Sequence, residues 1–124
     1  MALQKRQTVL LVNKQPNEIV YLTRQLESAG FVISFVTTGT GAIKSVEEHA
    51  PDIVLLDVGL SDMDGLEVVK AIRGNPQRHL IPIIAIGAFP HLKSRFLDNG
   101  CDGYVHKPIK ALDLIAQIRR LTRK

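Results

Sequence analysis

Tryptophan is absent from these 124 residues, and cysteine occurs once, at Cys101. A lone cysteine excludes an internal disulfide and any cysteine metal cluster, and Cys101 reads as a small packing residue near a turn. Aromatics make up 5% of the chain, with none interleaved among the cations as a nucleic-acid surface would have them. No apolar run approaches the ~20 residues needed to cross a bilayer. The opening MALQKRQT leads into VLLV, which is too short for the core of a signal peptide, so a cytoplasmic location is the expectation. No glycine-rich phosphate loop follows VLLV, which argues against mononucleotide binding. The four histidines, His49, His79, His91 and His106, are scattered without metal-ligand spacing, and no Ser-His-Asp or Cys-His arrangement is evident. No constellation typical of an enzyme is evident, and an enzyme is not the expectation.

What is present suits one compact domain, 1–124, with residues 1–7 as an N-terminal tail. The apolar fraction, 45%, is ordinary for a globular protein. The net charge of +4 is unevenly placed. Residues 1–90 carry 8 Lys/Arg against 9 Asp/Glu, whereas residues 91–124 carry 8 against 3. The basic excess lies in the last third, much of it in IRRLTRK. Such an excess could attract an acidic protein, an anionic membrane or nucleic acid; the plainer reading is a solvated helix end whose cations complement the helix dipole.

The apolar pattern alternates between two periods. VLLV (9–12), FVISFV (31–36), IVLL (53–56), IIAI (83–86) and the short YV (104–105) read as strands. Between them lie helical faces: Ile19, Leu22, Leu26 and Ala29, stopped by Gly30; Ile43, Val46 and Ala50, stopped by Pro51; and Leu66, Val69 and Ile72, stopped by Gly74-Asn75-Pro76. Leu92 and Phe96 mark a short fourth helix, and Leu114, Ile115, Ile118 and Leu121 a fifth. Five strand-then-helix repeats argue for a doubly wound α/β fold, a parallel sheet covered on both faces. VLLV, IVLL and IIAI are continuously apolar, as doubly buried strands are. FVISFV carries a serine and YV is short, so both read as edges. A strand order 2-1-3-4-5 satisfies this. It places the ligand crevice beyond the carboxyl ends of strands 1 and 3, beside Asn13, Lys14 and Asp57.

On spacing alone, Asp57 can be a nucleophile, a metal ligand or a cap, and Lys107, in VHKPI, can reach over strand 4 towards it. Taken together, VLLV, IVLLDVGLSDMDGLEVVKAIR, IPIIAIGA and GYVHKPI carry a resemblance. The chain resembles the receiver domain of two-component response regulators, a CheY-like fold, over essentially its whole length. The resemblance implies that Asp57 is the acceptor of a phosphoryl group from a histidine kinase and that Lys107 pairs with it. It also implies a Mg²⁺ ion held by two acids after strand 1 and by the acceptor. A hydroxyl after strand 4 and an aromatic on strand 5, here Tyr104, then carry the signal to a partner face.

The sequence departs from that pattern at the acid pair, which is Asn13-Lys14, and at the hydroxyl position, which is Gly87 followed by Ala88. The proline usual in the loop after the acceptor is Ser61. Asp57, Lys14 and Lys107 sum to +1 before any metal is added. Like charges ~4 Å apart repel by roughly 4 kcal/mol at an effective dielectric near 20, and Mg²⁺ requires an octahedral shell of oxygens. Mg²⁺ binding in the family manner is therefore doubtful, unless Lys14 turns to solvent and Glu18 supplies an acid. Lys14 is expected instead to pair with Asp57 and favour its ionised form. Gly87, lacking a hydroxyl, should weaken the coupling between Asp57 and Tyr104, whose ring could stand in or out independently of the acceptor.

These readings converge on an atypical receiver domain, with metal-dependent phosphorylation lost or weakened, that binds a protein partner. The partner, a kinase or a downstream effector, is expected on the face of the fourth helix, fifth strand and fifth helix. The alternatives are a working phosphoacceptor switch on Asp57 and, as a third class, nucleic-acid binding through the basic last helix.

Overall fold

The structure, a computed structural model, describes residues 6–122. Five strands and five helices alternate: β1 (Thr8–Val12), α1 (Pro16–Ser28), β2 (Val32–Val36), α2 (Gly39–Glu48), β3 (Ile53–Asp57), α3 (Gly65–Arg73), β4 (Ile83–Gly87), α4 (Leu92–Asp98), β5 (Gly103–His106) and α5 (Ala111–Thr122). All strand pairs are parallel, in the order β2-β1-β3-β4-β5. The fold is flavodoxin-like: the strand character marked the edges and the centre of the sheet, and the order is the one the resemblance to receiver domains implied.

Side chains alternate across the pleat and divide the core in two. Val9, Leu11, Leu55, Ile84 and Ile86 pack against Leu22 and Leu26 of α1 and Leu114 and Ile118 of α5. Leu10, Val12, Leu56, Ile83 and Ala85 pack on the other side, against Val46 of α2, Val69 and Ile72 of α3 and Phe96 of α4. All of β3 and β4 is buried, including Asp57 and Gly87. Each fully buried Ile or Leu there contributes about 1.5–3 kcal/mol of apolar transfer. β2 is an edge and leaves Phe35 and Val32 about half exposed.

The helix ends follow local chemistry. Pro16 occupies the first turn of α1, where a missing N–H costs nothing. Gly30, at φ +99°, closes that helix in a conformation open to glycine. The Thr38 hydroxyl accepts the Gly41 N–H at 2.9 Å, and Asp64 Oδ1 accepts the Leu66 N–H at 3.0 Å, capping α2 and α3.

Two expectations need correction. The buried face of α2 is Gly39, Ala42 and Val46, with Ile43 only partly covered. Ala50 is exposed because the helix ends at Glu48 and the chain is already leaving it. At the other end, Gln7 was assigned to the tail, yet its carbonyl accepts the Val32 N–H at 3.0 Å and extends the β1–β2 pairing by one bond. Residues 1–5 of that tail lie outside the described residues.

Candidate functional site

The crevice forms where β1, β3 and β5 end. The Asn13 N–H donates to Val36 O at 3.1 Å and the Lys107 N–H to Gly87 O at 2.8 Å, so the sheet ladder itself positions both residues. Asp57 is the last residue of β3 and is 4% exposed; Asn13 is fully buried.

Each polar group there has a partner. Asp57 Oδ1 accepts the Gly59 N–H at 2.8 Å. Asp57 Oδ2 accepts from the Lys107 ammonium at 2.6 Å. The same ammonium lies 3.0 Å from Glu18 Oε1. Asn13 divides its amide: Oδ1 accepts the Gln15 N–H at 2.8 Å, and Nδ2 donates to Glu18 Oε1 at 3.0 Å. Lys107 is thus a bridge between two carboxylates, and Asn13 steadies the outer one.

The electrostatics follow from this arrangement. Burial by itself would raise the Glu18 pKa, but the hydrogen bonds from Asn13 and Lys107 outweigh it and hold the carboxyl below its usual range. For Lys107, burial by itself would lower the pKa; the bonds to Asp57 and Glu18 win and hold it above the ordinary lysine value. Glu18 and Lys107 are therefore each held in the charged form. Two attractions oppose one carboxylate–carboxylate repulsion, and each is of the same order, roughly 4 kcal/mol at ~4 Å and an effective dielectric near 20.

The expected Lys14–Asp57 pair is not formed. Lys14 is exposed, and its ammonium donates to the Ser61 hydroxyl at 3.1 Å. The physical reason is that Lys107 already neutralises Asp57. A second ammonium drawn into the same buried space would lose its hydration and be repelled by the Lys107 ammonium. The charge count changes with it. With Glu18 in and Lys14 out, the group of Asp57, Glu18 and Lys107 carries −1 rather than +1.

The chemistry of this donor set does not fit the magnesium site implied by the resemblance. The first acid position holds an amide whose oxygen is occupied by a backbone N–H, and the second holds an ammonium turned to Ser61. Lys14 has turned outward and Glu18 has come to the crevice, the arrangement under which the sequence allowed metal binding, but the Glu18 carboxylate is already paired with Lys107. Among the described residues, no group of three or more His, Cys, Asp or Glu side chains converges on a metal-sized space.

Gly87 and Tyr104 also come together. The Tyr104 hydroxyl donates to Phe89 O at 2.7 Å, and the hydroxyl end of its ring fills the space that a β-carbon on Gly87 would take. Burial raises the phenol pKa; the Phe89 carbonyl bond opposes this without reversing it. Cys101 is buried and its thiol is pushed up to about 12, so it is an inert packing residue as expected. Two participants were not assigned these contacts from the sequence. Glu18 was considered only as a metal ligand; its place at the third helical position, two residues after Pro16, is the local signal that it turns back towards the strand ends. Phe89 had no signal, because its backbone carbonyl is what acts.

On the basic last helix, Arg119 stands 5.9 Å over the Phe31 ring and donates to Ala29 O at 3.2 Å. One of the cations of IRRLTRK is therefore spent within the fold, and Arg123 and Lys124 lie outside the described residues. No described helix is long and apolar enough to cross a membrane.

Comparison with known proteins agrees with the geometry. A family model described as the response regulator receiver domain matches residues 9–119. The transcriptional regulatory protein KdpE of Mycobacterium tuberculosis is 34% identical over 118 residues, 94% of this chain and 51% of that protein. The DNA-binding response regulator MtrA of Mycolicibacterium smegmatis is 33% identical over 121 residues, 96% of this chain and 52% of its own. This chain thus spans about half the length of the curated relatives it matches. Among solved structures, the receiver domain of sensor histidine kinase PA1611 from Pseudomonas aeruginosa PAO1, which has a magnesium ion coordinated in its active site cleft, superposes with a TM-score of 0.89. It is 29% identical, covering 97% of this chain and all of that one. The chemotaxis response regulator CheY4 of Vibrio cholerae gives a TM-score of 0.87 at 24% identity, covering 94% of this chain and 99% of that one, a likeness of fold.

Proposed function

The chain belongs to the response regulator receiver family, and from that premise we propose that it is an atypical receiver whose metal-dependent phosphorylation is weakened and which acts as a protein-binding module. The observation that carries this reading is the sharing of the Lys107 ammonium by Asp57 and Glu18, 2.6 Å and 3.0 Å away, with an amide and an outward lysine where the acid pair would stand. Lys107 supplies the positive charge that Asp57 requires at rest. The residues present would hold a divalent ion poorly, because the acid positions carry an engaged amide and an outward ammonium and Glu18 is taken up by Lys107. The proposed partner is a kinase or a downstream effector of a two-component system, bound on the α4–β5–α5 face. Those elements fall within the basic third of the chain, residues 91–124, where Lys93, Lys110 and Arg120 are exposed, so an acidic partner surface is the proposed complement.

A second reading is favoured by one feature: Asp57 keeps an ammonium at hydrogen-bond distance, as an acceptor does. In that reading the P–N bond of a phosphohistidine breaks, its electron pair returns to the imidazole, and a P–O bond forms to an Asp57 oxygen. The product carries about −1.5 to −2 charges, which Lys107 balances in part, and Lys14 would have to leave Ser61 to balance the rest.

Incubation with acetyl phosphate and Mg²⁺, followed by intact-mass measurement, separates the two. The first reading expects little or no added phosphoryl mass. A near-complete phosphoryl adduct that disappears in Asp57→Asn overturns it.

A further inference from the structure

We propose that Gly87 holds the Tyr104 ring in a single inward position, so that the β5 face of this domain is set by sequence and not by the state of Asp57. This goes beyond the reading of the acceptor site. It stands whether or not Asp57 takes a phosphoryl group.

The geometry is one of exchanged volume. A β-carbon added at Gly87 would overlap the Tyr104 hydroxyl, and would lie 3.0 Å from its Cζ and 3.1 Å from Val58 Cγ2. Tyr104 is part of the folded sheet rather than a mobile chain end: it faces Ala85 in the β4–β5 register. The ring therefore occupies the space that any side chain at position 87 would claim. Once there, it is retained from two sides. It packs against the apolar cluster beneath α3 and α4, and its hydroxyl donates to Phe89 O at 2.7 Å, in the loop that leaves β4. Turning the ring outward would break that bond. It would also leave the space over Gly87 with no side chain to fill it.

A two-position switch needs two arrangements of comparable free energy and an input that favours one of them. Here the input is missing as well. Gly87 has no side-chain atom to bond a group on Asp57, so this position offers no side-chain contact through which a change at the acceptor could act on Tyr104. The consequence is a constant surface. A partner that recognises the inward ring, with the half-exposed Phe89 beside it, meets the same face at all times.

Tyrosine emission makes this testable, because the chain has two tyrosines and no tryptophan. In a Tyr21→Phe background, which changes a half-exposed surface position, Tyr104 is the sole emitter. The expected result is a single set of Tyr104 ring resonances and restricted quenching by acrylamide, both unchanged in ring position when Asp57→Asn is added. Gly87→Thr and Gly87→Ala should each displace the ring, with a rise in quenching and loss of the inward ring shifts. The alanine variant adds only the methyl group that meets the hydroxyl, so it decides the matter if the threonine variant does not fold. Two ring populations in the unmodified background, a ring that moves with Asp57→Asn, or a ring unmoved by Gly87→Ala would each overturn the proposal. A phosphoryl adduct on Asp57 with a stationary Tyr104 would instead overturn only the reading of the acceptor site.

Discussion

Glu18 and Lys107 meet at 3.0 Å although 89 positions separate them in sequence. The first turn of α1 and the residue after β5 are both delivered to one end of the sheet. Their contact turns a simple acceptor–lysine pair into a bridge with two carboxylate ends, and most of what can be measured on this domain depends on which end holds the ammonium more strongly.

The Asp57 end should dominate stability. Asp57 is 4% exposed, so removal of its partner leaves a buried carboxylate unpaired, whereas Glu18 is about one-third exposed and can return to water. Lys107→Met is expected to destabilise the fold by about 2 kcal/mol, between the values for surface and buried pairs, and Glu18→Gln by less than about 1 kcal/mol. Urea unfolding of both variants measures the order. A larger loss for Glu18→Gln would show that the outer carboxylate is the principal partner.

The same bridge predicts a pH profile. The Glu18 pKa is held below its ordinary 4.5, so its contribution is present above that value and is lost as pH falls through the folded pKa. The Lys107 pKa is held above its ordinary 10.5, so its contribution is present below that value and is lost as pH rises through the folded pKa. Stability from this pair should be level between about pH 5 and about pH 10 and should fall outside those limits. Asp64 and Asp62, whose pKa values are also held down, chiefly by backbone N–H bonds, add to the acid limb. Urea midpoints collected across pH should show a shallower acid limb in Glu18→Gln, and an identical limb would refute the assignment.

Rebuilding the acid pair should restore affinity for magnesium. Lys14→Asp combined with Asn13→Asp exchanges an ammonium and an amide for two carboxylates beside Asp57. Each such charge is worth about 1 kcal/mol or more near a divalent ion, so affinity should rise by roughly tenfold or more over the unmodified chain. Calorimetric titration with Mg²⁺, or relaxation titration with Mn²⁺, gives both numbers. Equal affinity in the two proteins would mean that Glu18 and Asp57 already make a competent site.

Asp64 should matter for a different reason. One oxygen caps α3 through the Leu66 N–H at 3.0 Å, and the other meets Arg95 of α4 at 2.8 Å. Asp64→Ala is expected to cost about 1 kcal/mol, mostly from the cap, because the exposed ion pair contributes little. Arg95→Ala, measured by the same thermal unfolding, should cost less than half as much.

Arg119 provides the check on nucleic-acid binding. Its guanidinium is directed at Phe31 and at Ala29 O, so Arg119→Ala should lower stability by about 0.5–1 kcal/mol. Gel-shift titration at low salt is expected to show no steeply salt-dependent DNA affinity. Tight binding that weakens with a steep salt slope would reverse that expectation.

Much of this architecture was legible without coordinates. Continuous apolar runs at VLLV, IVLL and IIAI can be accommodated only in a sheet covered on both sides, and the helical faces of α1, α3 and α5 follow from one-dimensional periodicity. The same pattern put Asp57 and Lys107 at strand ends, but their pairing was an expectation from the resemblance to receiver domains and not from spacing. Lys14 was misplaced because sequence records that a cation is near the crevice but not whether another ammonium has already filled it. That competition depends on distances between three loops, and Lys107 wins it because the ladder bond from its own N–H to Gly87 O sets its stem beside Asp57. The position of Tyr104 was equally undecided, because a ring can stand in or out on the same strand. The empty volume above Gly87 resolves it, and volume is a property of packed neighbours that no pattern along the chain contains.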